Sequence, residues 1–157
     1  MADGVFNIAK GRVVEYYNRV KNNDPAASTF NLSLFTGTVT DAVMKDYDNF
    51  AAITAGALAE ATFTNYARKT VDDTALAALP APDDANDWYA VAFPNQTWTA
   101  AGGTTDNTLS RMVICYDPLG TDVTTNFIPL CYYDFSVTTD GTNLTVQFAA
   151  TGFFKAA

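Results

Sequence analysis

The chain contains no histidine. That absence removes the usual near-neutral general base, the Ser-His and Cys-His dyads built on it, and the commonest zinc ligand. Positive charge is scarce too: nine Lys and Arg against seventeen Asp and Glu leave a formal charge of −8 and a pI near 4.2. A phosphate backbone would be repelled, so nucleic acid is not an expected partner. There are two cysteines, Cys115 and Cys131, with no CxxC spacing. They predict two buried thiols in a reducing cytoplasm, with a disulfide between them as the alternative. No long apolar run exists: the longest uncharged, mostly apolar stretch, Phe50 to Ala59, is about half of what a bilayer-spanning helix needs, so no membrane is expected. Met1-Ala2-Asp3-Gly4 leads into charges at Lys10, Arg12 and Glu15, unlike the basic start and apolar block of a secretory signal.

What is present fits a single domain over residues 1–157, with 48% apolar and 17% charged residues. A domain of this size buries ~68–70% of the surface its unfolded chain exposes, so neither metal nor disulfide is required to hold it together. From about Gly4 to Asn22, Phe6, Ala9, Val13, Tyr17 and Val20 recur at intervals of three and four, with Asn7, Gly11, Glu15 and Asn18 opposite. This predicts an N-terminal amphipathic helix over about 4–22, with Asp3 as its N-cap and Asn22-Asn23-Asp24-Pro25 as its stop.

The β-rich body is expected over about 28–157. In Thr29 to Phe35 the period falls to two, which predicts a half-buried strand. Asp41 to Ile53 returns to helical spacing and predicts one short helix, and Thr62 to Val71 has the Thr and aromatic content of a strand. Thr74 to Leu79 suits a single helical turn before Pro80 and Pro82. Further strands are expected at Trp88 to Phe93, Gln96 to Ala100, Leu109 to Tyr116, Phe127 to Phe135 and Leu144 to Phe148, separated by turn clusters. Asp140-Gly141 is the clearest hairpin cue, between Phe135-Ser136-Val137 and Leu144-Thr145-Val146. The fold class that follows is α+β, mainly β: an antiparallel β-sandwich or jelly-roll-like barrel with the N-terminal helix and one short helix packed on it.

Constellations with chemistry are few. Asp46 with Asp48, Asp72 with Asp73, and Asp83-Asp84-Ala85-Asn86-Asp87 are acidic, yet none has the Asp-x-Asp-x-Asp-Gly spacing that wraps a cation, and no carboxylate pair is fixed across a cleft. Solvated loop acids are the simpler reading, with no metal, cofactor or catalytic residue expected. Gly102-Gly103-Thr104-Thr105 lacks the lysine and following helix of a phosphate loop. Trp88, Tyr89, Trp98, Tyr132 and Tyr133 could stack on sugar rings, but at strand spacing they suit core or interface positions. The closing Phe153-Phe154 pair calls for burial, either by folding back or against a partner.

Over nearly its whole length the chain resembles a recurrent type of small head-decoration (cement) protein of tailed double-stranded-DNA bacteriophages. The resemblance rests on Asn7-Ile8-Ala9-Lys10-Gly11-Arg12, Tyr66-Ala67-Arg68-Lys69, Ala81-Pro82-Asp83-Asp84-Ala85-Asn86-Asp87 and Gln96-Thr97-Trp98-Thr99. It continues in Val113-Ile114-Cys115-Tyr116-Asp117, Ile128-Pro129-Leu130, Tyr133-Asp134-Phe135, Thr145-Val146-Gln147-Phe148 and Gly152-Phe153-Phe154. It implies a non-enzymatic virion protein assembled in the host cytoplasm, on the outer surface of the head. The implied partners are the major capsid protein and further copies of itself, a trimer being common in such proteins. The acidic charge agrees, since packaged phosphates would repel this chain from the inner side of a shell. Phe6, Val13 and Tyr17 of the first helix, with Phe153 and Phe154, are the expected partner-interface anchors. A tail-associated or carbohydrate-binding (receptor-binding) module is the alternative function.

Overall fold

The computed structural model describes residues 3–77, 79, 85–149 and 154–156. The chain is mainly antiparallel β. β1 (Gly4–Val5), β2 (Thr29–Thr36), β3 (Ala59–Glu60), β4 (Lys69–Val71), β7 (Thr108–Asp117) and β8 (Ile128–Thr138) form a six-stranded sheet. Its order is β1-β8-β7-β2-β3, with β4 on the same edge of β2 as β3. Two ribbons accompany it: β5 (Tyr89–Val91) with β10 (Phe154–Ala156), and β6 (Gln96–Trp98) with β9 (Leu144–Val146).

The first helix is shorter than its periodicity predicts. Gly4 and Val5 are extended against Tyr132 and Cys131, Asn7–Ala9 makes a 3-10 turn, and only Val13–Lys21 (α1) is α-helical. Gly11 explains the break, because its φ of 76° lies in the left-handed region that interrupts a helix. The stop falls where the sequence places it: Asn22 is the C-cap, and the Asn23 carboxamide accepts the amide of Ala27. The segment from Asp41 divides into α2 (Asp41–Lys45) and α3 (Phe50–Ala55), because Asn49 accepts the Ala52 amide at 2.8 Å and so starts a second helix. A last short helix, α4 (Asp73–Leu76), is capped by Asp72. Pro80 and Pro82 lie outside the described residues.

β2 is buried on both faces, not half-buried. Phe30 stacks on Tyr17 and meets the edge of Phe93 on one side, while Phe35, of opposite parity, packs on Phe50 on the other. Two cross-strand expectations fail for visible reasons. The stretch from Thr62 to Arg68 leaves the sheet between β3 and β4, so only its last residues are strand. The Asp140-Gly141 turn does not join β8 to β9 as a hairpin. Gly141 donates to the Ala101 carbonyl and Ala101 to the Thr142 carbonyl, which hands β9 to β6. Cys115 and Cys131 are buried free thiols. No helix among the described residues is long and apolar enough to cross a membrane.

Candidate functional site

Where the chain leaves the sheet, between β3 and β4, β2 loses ladder partners, and side chains take their place. The Leu34 amide donates to the Tyr66 hydroxyl at 3.1 Å, and that hydroxyl donates to Glu60 Oε1 at 2.9 Å. Arg68 then grips both Glu60 oxygens, Nε to Oε1 at 2.7 Å and Nη2 to Oε2 at 2.8 Å. Its third nitrogen, Nη1, reaches Asp122 Oδ1 at 2.8 Å. The guanidinium lies 4.7 Å from the Phe50 ring centroid and 5.9 Å from that of Phe127. A planar fork between two carboxylates and two rings is geometry that lysine could not reproduce. The carboxylate bonds hold the Arg68 pKa above its ordinary value, and burial does the same to Tyr66, with Glu60 adding to it.

Asp122 belongs to the connection between β7 and β8, and Arg68 is one of several restraints on it. Asp117, itself buried, accepts the Leu119 amide at 3.0 Å and the Asp122 amide at 3.1 Å, one on each carboxylate oxygen. Asn31 adds a donor to Asp122 at 3.3 Å, and Ser33 in turn donates to Asn31 at 2.8 Å. Gly120, at φ 60°, sits so close to the Ala27 carbonyl that a Cβ there would lie 2.1 Å from its oxygen. Against this restraint from beneath, the outer side carries Leu119 and Val123, 52% and 46% exposed. They are two of three large apolar side chains left exposed among the described residues; Val43 is the third. An ordered loop presenting aliphatic side chains to water has already lost the entropy that binding would otherwise cost.

The sequence-predicted anchors are placed differently. Phe6, Val13 and Tyr17 are buried in the chain's own core: Phe6 packs edge-on to Tyr132, and Tyr17 packs against Phe30, Tyr89 and Phe93. As folded, these three hold the first segment to the sheet and offer a partner no surface. Phe154 folds back, pairs with Val91 in the β5–β10 ribbon and is half-buried; Phe153 lies outside the described residues. The structure brings none of the carboxylate groups into a metal site: among the described residues there is no cluster of three or more Cys, Asp or Glu able to hold an ion. Asp83 and Asp84 lie outside them. Trp98, 1% exposed, donates its indole N–H to the Ala67 carbonyl at 2.7 Å and so presents no face to a sugar.

A second charged centre surrounds the buried Arg111. Arg111, 1% exposed, bonds Asp134 through Nε, lies 3.6 Å from Asp41 and covers the Tyr132 ring at 4.8 Å. Sequence reading placed a turn cluster between the strands Leu109 to Tyr116 and Phe127 to Phe135, and made Tyr66 to Lys69 part of a resemblance. It had no means of joining them, because the link passes through Asp122, far along the chain. Comparisons with models of known protein families, with curated proteins and with solved structures find no match to this chain.

Proposed function

We propose that this protein is a non-enzymatic capsid decoration (cement) protein that binds the outer surface of a mature phage head. The observation that carries the reading is the 117–124 loop, ordered by Asp117 and Arg68 and tipped with Leu119 and Val123. The strong polar groups around it are bonded to one another, Glu60 and Asp122 both to Arg68, which suits holding a shape better than turning over a substrate. In this reading the body is a sandwich-like block, its second layer built from the two ribbons, and the loop is the attachment tip. The chain's resemblance to decoration proteins and its charge of −8 support placement outside the shell.

The mechanism is preferential binding. A subunit that binds only the expanded shell lowers the free energy of that state by mass action and so opposes the pressure of packaged DNA. Apolar anchors supply affinity, and weak identical contacts repeated over a lattice add through multivalency. The test is occupancy on decoration-free heads, read by electron microscopy. Wild-type chain is expected to decorate them, and Leu119→Ser/Val123→Ser to lower occupancy at least tenfold while remaining folded. Undiminished occupancy by that variant rejects the loop as the tip; no density on heads at any wild-type concentration rejects the function.

A further inference from the structure

Beside that loop, where β3 and β4 part on the outer edge of β2, lies a groove of about 650 Å³. Asn31, Glu60, Thr62, Arg68, Thr70 and Asp122 line it with polar atoms. All six belong to the unbroken described stretches 3–77 and 85–149. The chain beyond α4 is held on the other face of β2: Lys21 of α1 donates to the Leu79 carbonyl at 3.2 Å, and α1 stacks on Phe30, which points away from the side of Asn31.

Within the groove most of the strong pairing is complete. Arg68 uses Nε, Nη1 and Nη2, and both Glu60 oxygens are taken. Asp122 differs. Its bonds from Arg68 and Asn31 both fall on Oδ1, and Oδ2 accepts none among the described residues, on a side chain 65% exposed. Two carboxylates against one guanidinium also leave the groove with an excess of negative charge. Lys69 does not balance it, since it stands opposite Leu32 with its ammonium 5.4 Å from the Trp98 ring centroid.

We infer that the groove seats a lysine side chain of the shell protein, its ammonium bonded to Asp122 Oδ2, when the loop engages the head. The inference rests on the decoration reading and names what that partner must present. The charge excess selects a cation. Geometry selects ammonium over guanidinium: Glu60, the carboxylate offering a planar pair of oxygens, is already forked by Arg68. What is left is one oxygen of Asp122 with the exposed Thr62 and Thr70, single acceptors that suit a compact group with three donors. Asp122 precedes Val123 directly, so the seat adjoins the apolar tip. Leu119 and Val123 supply affinity, and the ion pair fixes register and disfavours shell sites that lack the lysine.

The test is zero-length carbodiimide cross-linking of decorated heads, mapped by mass spectrometry, together with head binding by Thr70→Lys. Asp122 is expected to be joined to a lysine of the shell protein. Thr70→Lys puts the chain's own ammonium into the groove and is expected to bind heads at least tenfold more weakly. Should that variant misfold by circular dichroism, the cross-link decides alone. Cross-linked heads in which Asp122 stays unjoined, or undiminished binding by folded Thr70→Lys, overturn the lysine seat and leave the decoration reading intact. Failure of the wild-type chain to bind heads overturns both. A cross-link from Asp122 to a lysine of a second copy gives the seat to self-association and overturns the shell lysine.

Discussion

Asp117 and Leu119 sit two residues apart and have opposite duties. Asp117 works inward, accepting two loop amides, one on each carboxylate oxygen. Asp117→Ala is expected to cost about 1–3 kcal/mol in urea unfolding, the worth of hydrogen bonds to a charged acceptor. Leu119→Ser touches no such bond and should stay within about 0.5 kcal/mol of wild type, so that any loss of attachment it causes is not a folding defect. The thiols give a pH signature. Burial pushes Cys131 from an ordinary 9.0 up to about 12, raises Cys115 as well, and takes Tyr17 from 10.0 to about 12. Below pH 9 folded and unfolded chains both keep these protons, and the stabilising effect is complete. Between pH 9 and 12 only the unfolded chain releases them, so stability falls as pH rises. Urea midpoints measured from pH 8 to 11 should therefore decline, and less steeply in Cys131→Ala.

Among elements, what the sequence displays and what it hides divide by range. The long strands β7 and β8 and the strand β2 are legible because their patterning is local and their turns carry Pro, Gly and Asp. The first helix is legible in its apolar stripe but not in its start, since the pairing of Gly4 with Tyr132 depends on a strand far along the chain. The same stripe suggested a partner surface because a helix face looks identical whether a sheet or a neighbour covers it. Phe6→Ala decides between these: as a core residue it should cost about 3–5 kcal/mol of stability, whereas a partner anchor would leave unfolding unchanged. The candidate site was hidden for a related reason. Residues 60, 68 and 122 carry no motif, and only the departure of the chain between β3 and β4 brings them together.

For the whole molecule, the 117–124 loop stands at one end of the β7–β8 pair. At ~3.3 Å per residue the ten residues of β7 set a span of about 30 Å. In the proposed decoration reading, a stiff sheet of that length lets a second contact, made with a neighbouring shell subunit, become effectively intramolecular. The acidic surface acts mainly on encounter, so raising salt from 50 to 500 mM is expected to slow association with heads more than it speeds dissociation, measurable by light scattering.

The Arg68 hub draws on β2, α3, β3 and the β7–β8 connection, so it closes only when most of the chain has found its place. A half-folded molecule therefore has no shaped loop to offer. In the proposed reading, maturity of the subunit becomes its own admission ticket, and defective copies are left in solution without any chaperone having to sort them.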